Sequence, residues 1–66
     1  MTGTITRLVD SRQAGSIGAE DGNDYAFAAS SLRGVPFSQL SLGTAVIFVP
    51  RPASNGFRAD AVQLVR

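Results

Sequence analysis

The chain of 66 residues contains no cysteine, histidine, lysine or tryptophan. Without cysteine there is no disulfide, and without cysteine or histidine the usual zinc and haem ligands are missing. We therefore expect no metal or other cofactor, and stability must come from packing or from self-association. Because no histidine, cysteine or lysine is present to activate a hydroxyl nucleophile, the sequence does not predict an enzyme.

Charge is also sparse. Six arginines stand against five acids, for a formal net charge of +1, so no strong overall field draws the chain to phosphate or to an anionic membrane. No apolar run approaches the roughly 20 residues of a membrane span, and no basic and apolar leader opens the chain. These features predict a cytoplasmic protein with a single domain over residues 1–66 and no membrane contact.

The strongest signal present is a series of short segments typical of β-strands. The segment 24–32 is central: Tyr25 and Phe27 alternate with alanines, which puts two rings on one strand face and leaves the other nearly bare. Its end, 30–32, is expected to form a short helical turn that sends Leu32 into the core. The predicted strands are Thr4–Val9, Gln13–Ala19, Asp24–Leu32, Thr44–Val49 and Arg58–Val65.

Turn residues and prolines separate these strands. Gly22 indicates a hairpin turn over 20–23 and is expected to take a positive φ. Pro50 and Pro52 are predicted to stop the fourth strand, because a proline nitrogen cannot donate to a ladder, and a turn over 53–56 follows. Five short strands in sequence predict an all-β, five-stranded antiparallel barrel, which leaves no long exposed edge.

Six short motifs follow one another in a fixed order along nearly the whole chain. They are Thr2-Gly3-Thr4-Ile5, Gly15-x-Ile17, Glu20-Asp21-Gly22, Phe27-x-x-Ser30-x-Leu32, Leu40-x-x-Gly43-x-x-Val46-x-Phe48 and Ala61-Val62. In this order and spacing the chain resembles the bacterial cold shock domain, a five-stranded member of the oligonucleotide/oligosaccharide-binding fold. The resemblance implies six inward-pointing residues, which are Ile5, Ile17, Tyr25, Phe27, Val46 and Phe48.

Cold shock proteins bind single strands by stacking bases on aromatic side chains of their second and third strands. The matching positions here hold Ala14, Ser16, Ala26, Ala28 and Ala29. Stacking on an aromatic contributes about 1–3 kcal/mol per base. The resemblance therefore implies a binding surface whose stacking platform has been lost.

Other parts of that surface are retained or replaced. Arg7 matches the position of a tryptophan in the first strand of cold shock proteins. Phe37 matches an aromatic residue in the loop after their third strand. In this chain Phe37 either stacks on a base or packs on the barrel. Arginine can pair with phosphate and stack on a base plane. We expect weak, salt-sensitive binding of single-stranded RNA or DNA through Arg7, Arg12, Ser16, Arg33, Phe37, Phe57 and Arg58.

An alternative hypothesis is a degenerate cold shock domain that binds a protein partner or a second copy of itself. The alanine-rich face is flat and mildly apolar, which suits contact with another sheet. Ile47 and Val49 should point away from the core, and Leu42 adds to this apolar set. Exposed apolar surface commonly marks an interface, and a C₂ dimer is one outcome.

Overall fold

A computed structural model of the protein describes residues 1–53 and 56–65. Within these residues all regular structure is strand or three-residue 3₁₀ turn, and no helix has the length and apolar character that crossing a bilayer requires. The turns cover Asp10–Arg12, Ala29–Ser31 and Phe37–Gln39. The strands are β1 (Thr2–Val9), β2 (Ala14–Ala19), β3 (Asp24–Ala28), β4 (Ala45–Ala53) and β5 (Gly56–Leu64).

The five strands close into a barrel in the order β1-β2-β3-β5-β4, which confirms the predicted all-β, five-stranded barrel. Neighbouring strands are antiparallel except β3 and β5, which run parallel and pair through Ala26 and Arg58. A second parallel bridge joins Leu32 to Val62. The chain leaving β3 therefore continues alongside β5, and it brings the turn at Ala29–Ser31 against that strand.

The core contains all six side chains that the sequence predicts to point inward, each of them buried. The loop after β3 contributes further apolar side chains, and Leu32 packs against the core while remaining partly exposed. Burial of this set supplies the hydrophobic stabilisation of a chain without disulfides. Its other members are Val35, Phe37, Leu40, Ala59 and Val62.

Gly15 on β2 has neighbours that leave no room for a side chain. It pairs with Leu8 on one side and Phe27 on the other. A Cβ atom at this position would collide with the Arg7 carbonyl oxygen and would lie 2.9 Å from the Phe27 ring. The glycine therefore makes room for the Phe27 ring, although it lowers the strand propensity of β2.

A hydrogen bond from the buried Tyr25 to the exposed Asp21 holds the β2–β3 turn in place. Gly22 has φ +86°, as predicted. The Tyr25 hydroxyl donates to Asp21 Oδ2 at 2.7 Å, while Tyr25 is only 4% exposed and its ring packs in a tilted arrangement 5.0 Å from that of Phe48. This bond lowers the pKa of Asp21 and raises the pKa of Tyr25, because it favours the Asp21 carboxylate and the protonated phenol.

The prediction that prolines end the fourth strand is wrong, since β4 continues through Pro50 and Pro52 to Ala53. The Phe48 N–H donates to the Met1 carbonyl at 2.8 Å, so it points towards β1. Strand periodicity directs the nitrogens of Pro50 and Pro52 to the same side, beyond the end of the β1 pairing. Neither proline interrupts the ladder with β5, as expected of prolines on an edge.

The other end of this hairpin also differs from prediction. Ser54 and Asn55 of the predicted 53–56 turn lie outside the described residues, and Ala53 pairs with Gly56 across them. β5 therefore begins two residues earlier than predicted. Phe57, expected in a loop, is the second residue of this strand.

Candidate functional site

A β-bulge in β1 directs Arg7 to the outside of the barrel. Ile5 pairs with Ile17, and Arg7 pairs with the next residue of β2, Ser16, so β1 contains one extra residue in this interval. Strict alternation from the buried Ile5 would have pointed Arg7 inward. Because the bulge reverses the alternation, Arg7 lies on the outer face beside Ser16.

Arg7 begins a row of outward-facing residues that crosses five strands. Each residue is the pairing partner of the next: Arg7 on β1, Ser16 on β2, Ala26 on β3, Arg58 on β5 and Arg51 on β4. We call these five residues the arginine row. At about 4.8 Å per strand spacing, Arg7 and Arg58 are roughly 14 Å apart along the sheet, with only small side chains between them.

The surface beside the arginine row differs between its two sides. Towards the loop after β1, Val9, Ala14 and Ala28 form the neighbouring row of pairs. In the opposite direction along β3, the next outward residue is Asp24, which is exposed. On the parallel strand β5, the outward residue on the same side as Ala28 is Asp60, which is paired with Arg51. An anionic ligand is therefore favoured over Val9, Ala14 and Ala28 and disfavoured beside Asp24.

Arg12 adds a further cation on the favoured side. It ends the 3₁₀ turn Asp10–Arg12, which joins β1 to β2, and it shares a shallow depression with Arg7, Ala14 and Ser16. The turn closes on Gln13, whose φ is +51° and whose N–H donates to the Asp10 carbonyl. This tight connection places Arg12 next to the row.

Four of the seven residues predicted from sequence are thus brought together, namely Arg7, Arg12, Ser16 and Arg58. Arg33 is not, because its N–H bonds to the Val62 carbonyl, four residues along β5 from Arg58. This separation along the strand is roughly 13 Å.

The two predicted phenylalanines lie elsewhere. Phe37 is only 7% exposed, and its ring packs 6.4 Å from that of Phe27, so the packing alternative describes its position and the stacking alternative does not. Phe57 is half exposed, but its ring lies 5.3 Å from Tyr25. Since neighbouring side chains of a strand alternate, Phe57 faces the opposite side of β5 from Arg58.

Arg51 belongs to the arginine row and was missed in the sequence. The two flanking prolines predict that the strand ends before Arg51, which leaves Arg51 outside the predicted strands. One signal was available: a hairpin with only two residues between Ala53 and Gly56 places Arg51 opposite Arg58. That register was hidden because prolines ordinarily argue against a strand.

The chemistry that this surface offers is binding of an anion and a planar group. Guanidinium groups donate paired hydrogen bonds to phosphate and stack on rings. The described residues include no group of three acidic side chains placed to hold a metal ion. No protein-family model and no curated protein matches this chain. We therefore infer function from the geometry of the site.

Proposed function

We propose that this protein binds single-stranded nucleic acid, RNA or DNA, across the arginine row. The observation that carries the proposal is the register that aligns Arg7, Arg58 and Arg51 on one outer face, with small side chains between them. Guanidinium groups lie at both ends of a surface of small side chains. This arrangement suits a nucleic-acid strand, which has regularly spaced phosphates and planar bases. Arg12 extends the same surface.

The proposed interface should bind weakly and with little base preference. Phosphate contacts position a strand but carry no sequence information, and aromatic stacking, worth about 1–3 kcal/mol per base, is not available from alanine or serine. Four arginines that each neutralise one phosphate would give a slope of roughly −3 for log K against log salt on a single strand.

The test is fluorescence anisotropy with a labelled oligothymidine at low and rising salt. Arg7→Gln should lower the affinity clearly, and Arg33→Gln is the matched control because it removes the same charge from an exposed arginine outside the row. No binding at high micromolar protein and low salt would refute the proposal. An equal loss in both variants would show that only net charge matters.

The self-association hypothesis has a weaker basis on this face. In a C₂ dimer the same patch meets itself, so two arginine rows would be brought against one another. The exposed apolar side chains Ile47 and Val49 continue the outer face of β4 beyond Arg51. Sizing at two protein concentrations tests it, and a single monomeric species at both would argue against a dimer.

A further inference from the structure

Two arginines oppose each other at the end of the arginine row. Arg51 on β4 and Arg58 on β5 are direct pairing partners, and both are exposed. Directly opposed residues of an antiparallel pair have Cβ atoms about 4.5–5.5 Å apart, and like charges in this arrangement are destabilising. The hairpin therefore carries an electrostatic cost that an anion would remove.

The nearest acid offsets only part of this charge. Asp60 Oδ2 lies 3.6 Å from Arg51 Nε, while the other carboxylate oxygen accepts a hydrogen bond from the Ala61 N–H at 2.9 Å. Within residues 1–53 and 56–65 this is the single ion pair. One carboxylate against two guanidinium groups leaves the pair with a net positive charge.

The surface around the two arginines is suited to binding an anion. The turn Ala29–Ser31 packs against β5, and Ser30 and Ser31 border the same depression as Arg51, Arg58 and Asp60. Ser30 is exposed, so its hydroxyl can act as a donor. The depression thus combines two guanidinium forks and a hydroxyl on three neighbouring segments of the chain.

We infer that Arg51 and Arg58, with Ser30, form a binding site for a phosphate group. A phosphate presents its oxygens in a tetrahedral arrangement and can bridge guanidinium groups on two strands, whereas a carboxylate has two coplanar oxygens that match one fork. The inference extends the proposed function, since Arg58 belongs to the same row. The phosphate is either an internal phosphodiester of a nucleic-acid strand or a phosphate monoester, whether at the end of a strand or free.

The first test uses inorganic phosphate alone, followed by NMR of the backbone amides and the arginine Nε–Hε groups. Phosphate should produce saturable shifts at Ser30, Arg51 and Arg58 that sodium chloride of equal ionic strength does not produce. Arg51→Gln should weaken this binding about ten-fold, and Arg33→Gln should leave it unchanged. Shifts that do not saturate, or that are equal at Arg33, would overturn the site.

A second test separates the two sources of phosphate. Oligothymidine with a 5′-phosphate is compared with the same strand ending in a hydroxyl, using the wild-type protein and Arg51→Gln. A terminal monoester at the site predicts tighter binding of the phosphorylated strand and loss of that advantage in the variant. An internal phosphodiester predicts that the variant weakens both strands equally. No effect of Arg51→Gln on either strand would refute phosphate binding from a strand.

The two proposals fail in distinguishable ways. If the strand binds through Arg7 but phosphate gives no saturable shift, the phosphate site is wrong and the proposed function stands. If phosphate saturates the site while no oligonucleotide binds, the proposed function is wrong and the site is one for a free phosphate monoester. Thermal unfolding of Arg51→Gln, an exposed substitution, checks that the variant is folded.

Discussion

At the scale of single residues, Gly15 is required by its neighbours and not by its backbone angles. A methyl group there would collide with the Arg7 carbonyl and the buried Phe27 ring. Overpacking of a core typically costs about 1–3 kcal/mol, and we expect Gly15→Ala to lower the free energy of unfolding by this amount. Urea denaturation monitored by circular dichroism measures the change.

Gly18→Ala is the matched control for that prediction. It is also a glycine of β2, but the nearest atom to an added Cβ is the Thr6 Cγ2 at 2.9 Å, the tip of an exposed side chain that can rotate away. We expect a clearly smaller loss of stability than at Gly15. Equal losses in the two variants would mean that glycine is needed in β2 for another reason.

The hydrogen bond between Tyr25 and Asp21 predicts how stability depends on pH. The pKa of Asp21 is lowered in the folded protein, below its ordinary value of 3.8, so the contribution of its carboxylate is present above that pH and is lost as pH falls through the folded pKa. The pKa of Tyr25 is raised above 10.0, so the contribution of its phenol is complete below pH 10 and is lost as pH rises through the folded pKa. Tyr25→Phe should flatten both the acid and the alkaline decline.

Urea midpoints for the wild type and Tyr25→Phe, measured from pH 2 to 7 and from pH 8 to 11, test this prediction. The phenylalanine keeps the ring that packs beside Phe48 and Phe57, so the variant removes the hydroxyl and little else. Asp21→Asn should flatten the acid decline as well. Profiles that run parallel to the wild type at both ends would rule out a role for this bond in stability.

At the scale of the strand, β5 depends on a bulge that its sequence does not reveal. From Ile47 to Val49 β4 advances two residues, while β5 advances three, from Gln63 to Asp60. Ala61 lies in this interval with φ +50°. The extra residue allows Ala59 and Val62, three positions apart, both to be buried.

Ala61→Gly should therefore stabilise the protein. Alanine in the left-handed region costs roughly 1–2 kcal/mol, and glycine relieves this cost. Part of the gain in stability is offset, because glycine has more conformational entropy to lose on folding. We expect a net gain of about 0.5–1 kcal/mol in thermal or urea unfolding. Ala59→Gly, a glycine at a buried position of the same strand without a positive φ, should destabilise, and a loss of stability in both variants would contradict the prediction.

Elements whose side chains alternate regularly were predictable from sequence, and those altered by a bulge or a proline were not. The alternation of Tyr25 and Phe27 with alanines predicted the inner face of β3, and the resemblance correctly placed Val46 and Phe48 in the core. The bulge that turns Arg7 outward has no sequence signal of its own, and the outward position of Arg7 was inferred only from resemblance. The prolines of β4 kept Arg51 from being predicted in a strand. A strand tolerates proline where the proline nitrogen faces an unpaired edge, and the sequence does not show which side of β4 is unpaired.

At the scale of the whole molecule, the barrel leaves one stretch of β4 unpaired on the side away from β5. Its pairing with β1 ends at Ile47, and the N-terminal amino group of Met1 donates to the Phe48 carbonyl at 2.9 Å. Beyond this point Pro50 and Pro52 occupy the positions whose nitrogens face the open edge. An edge without donors at these positions is a poor template for another strand.

Pro50→Thr combined with Pro52→Thr should therefore convert a protected edge into one that pairs. Threonine supplies the missing N–H groups and favours strands. We therefore expect the sedimentation coefficient of the double variant to rise with protein concentration and to exceed that of the wild type at the same concentration. Pro36→Thr is the matched control, since it removes an exposed proline from the loop after β3. If the double variant and the control sediment alike at every concentration, the prolines do not guard the edge, and their place in β4 reflects only their packing around Tyr25 and Phe57.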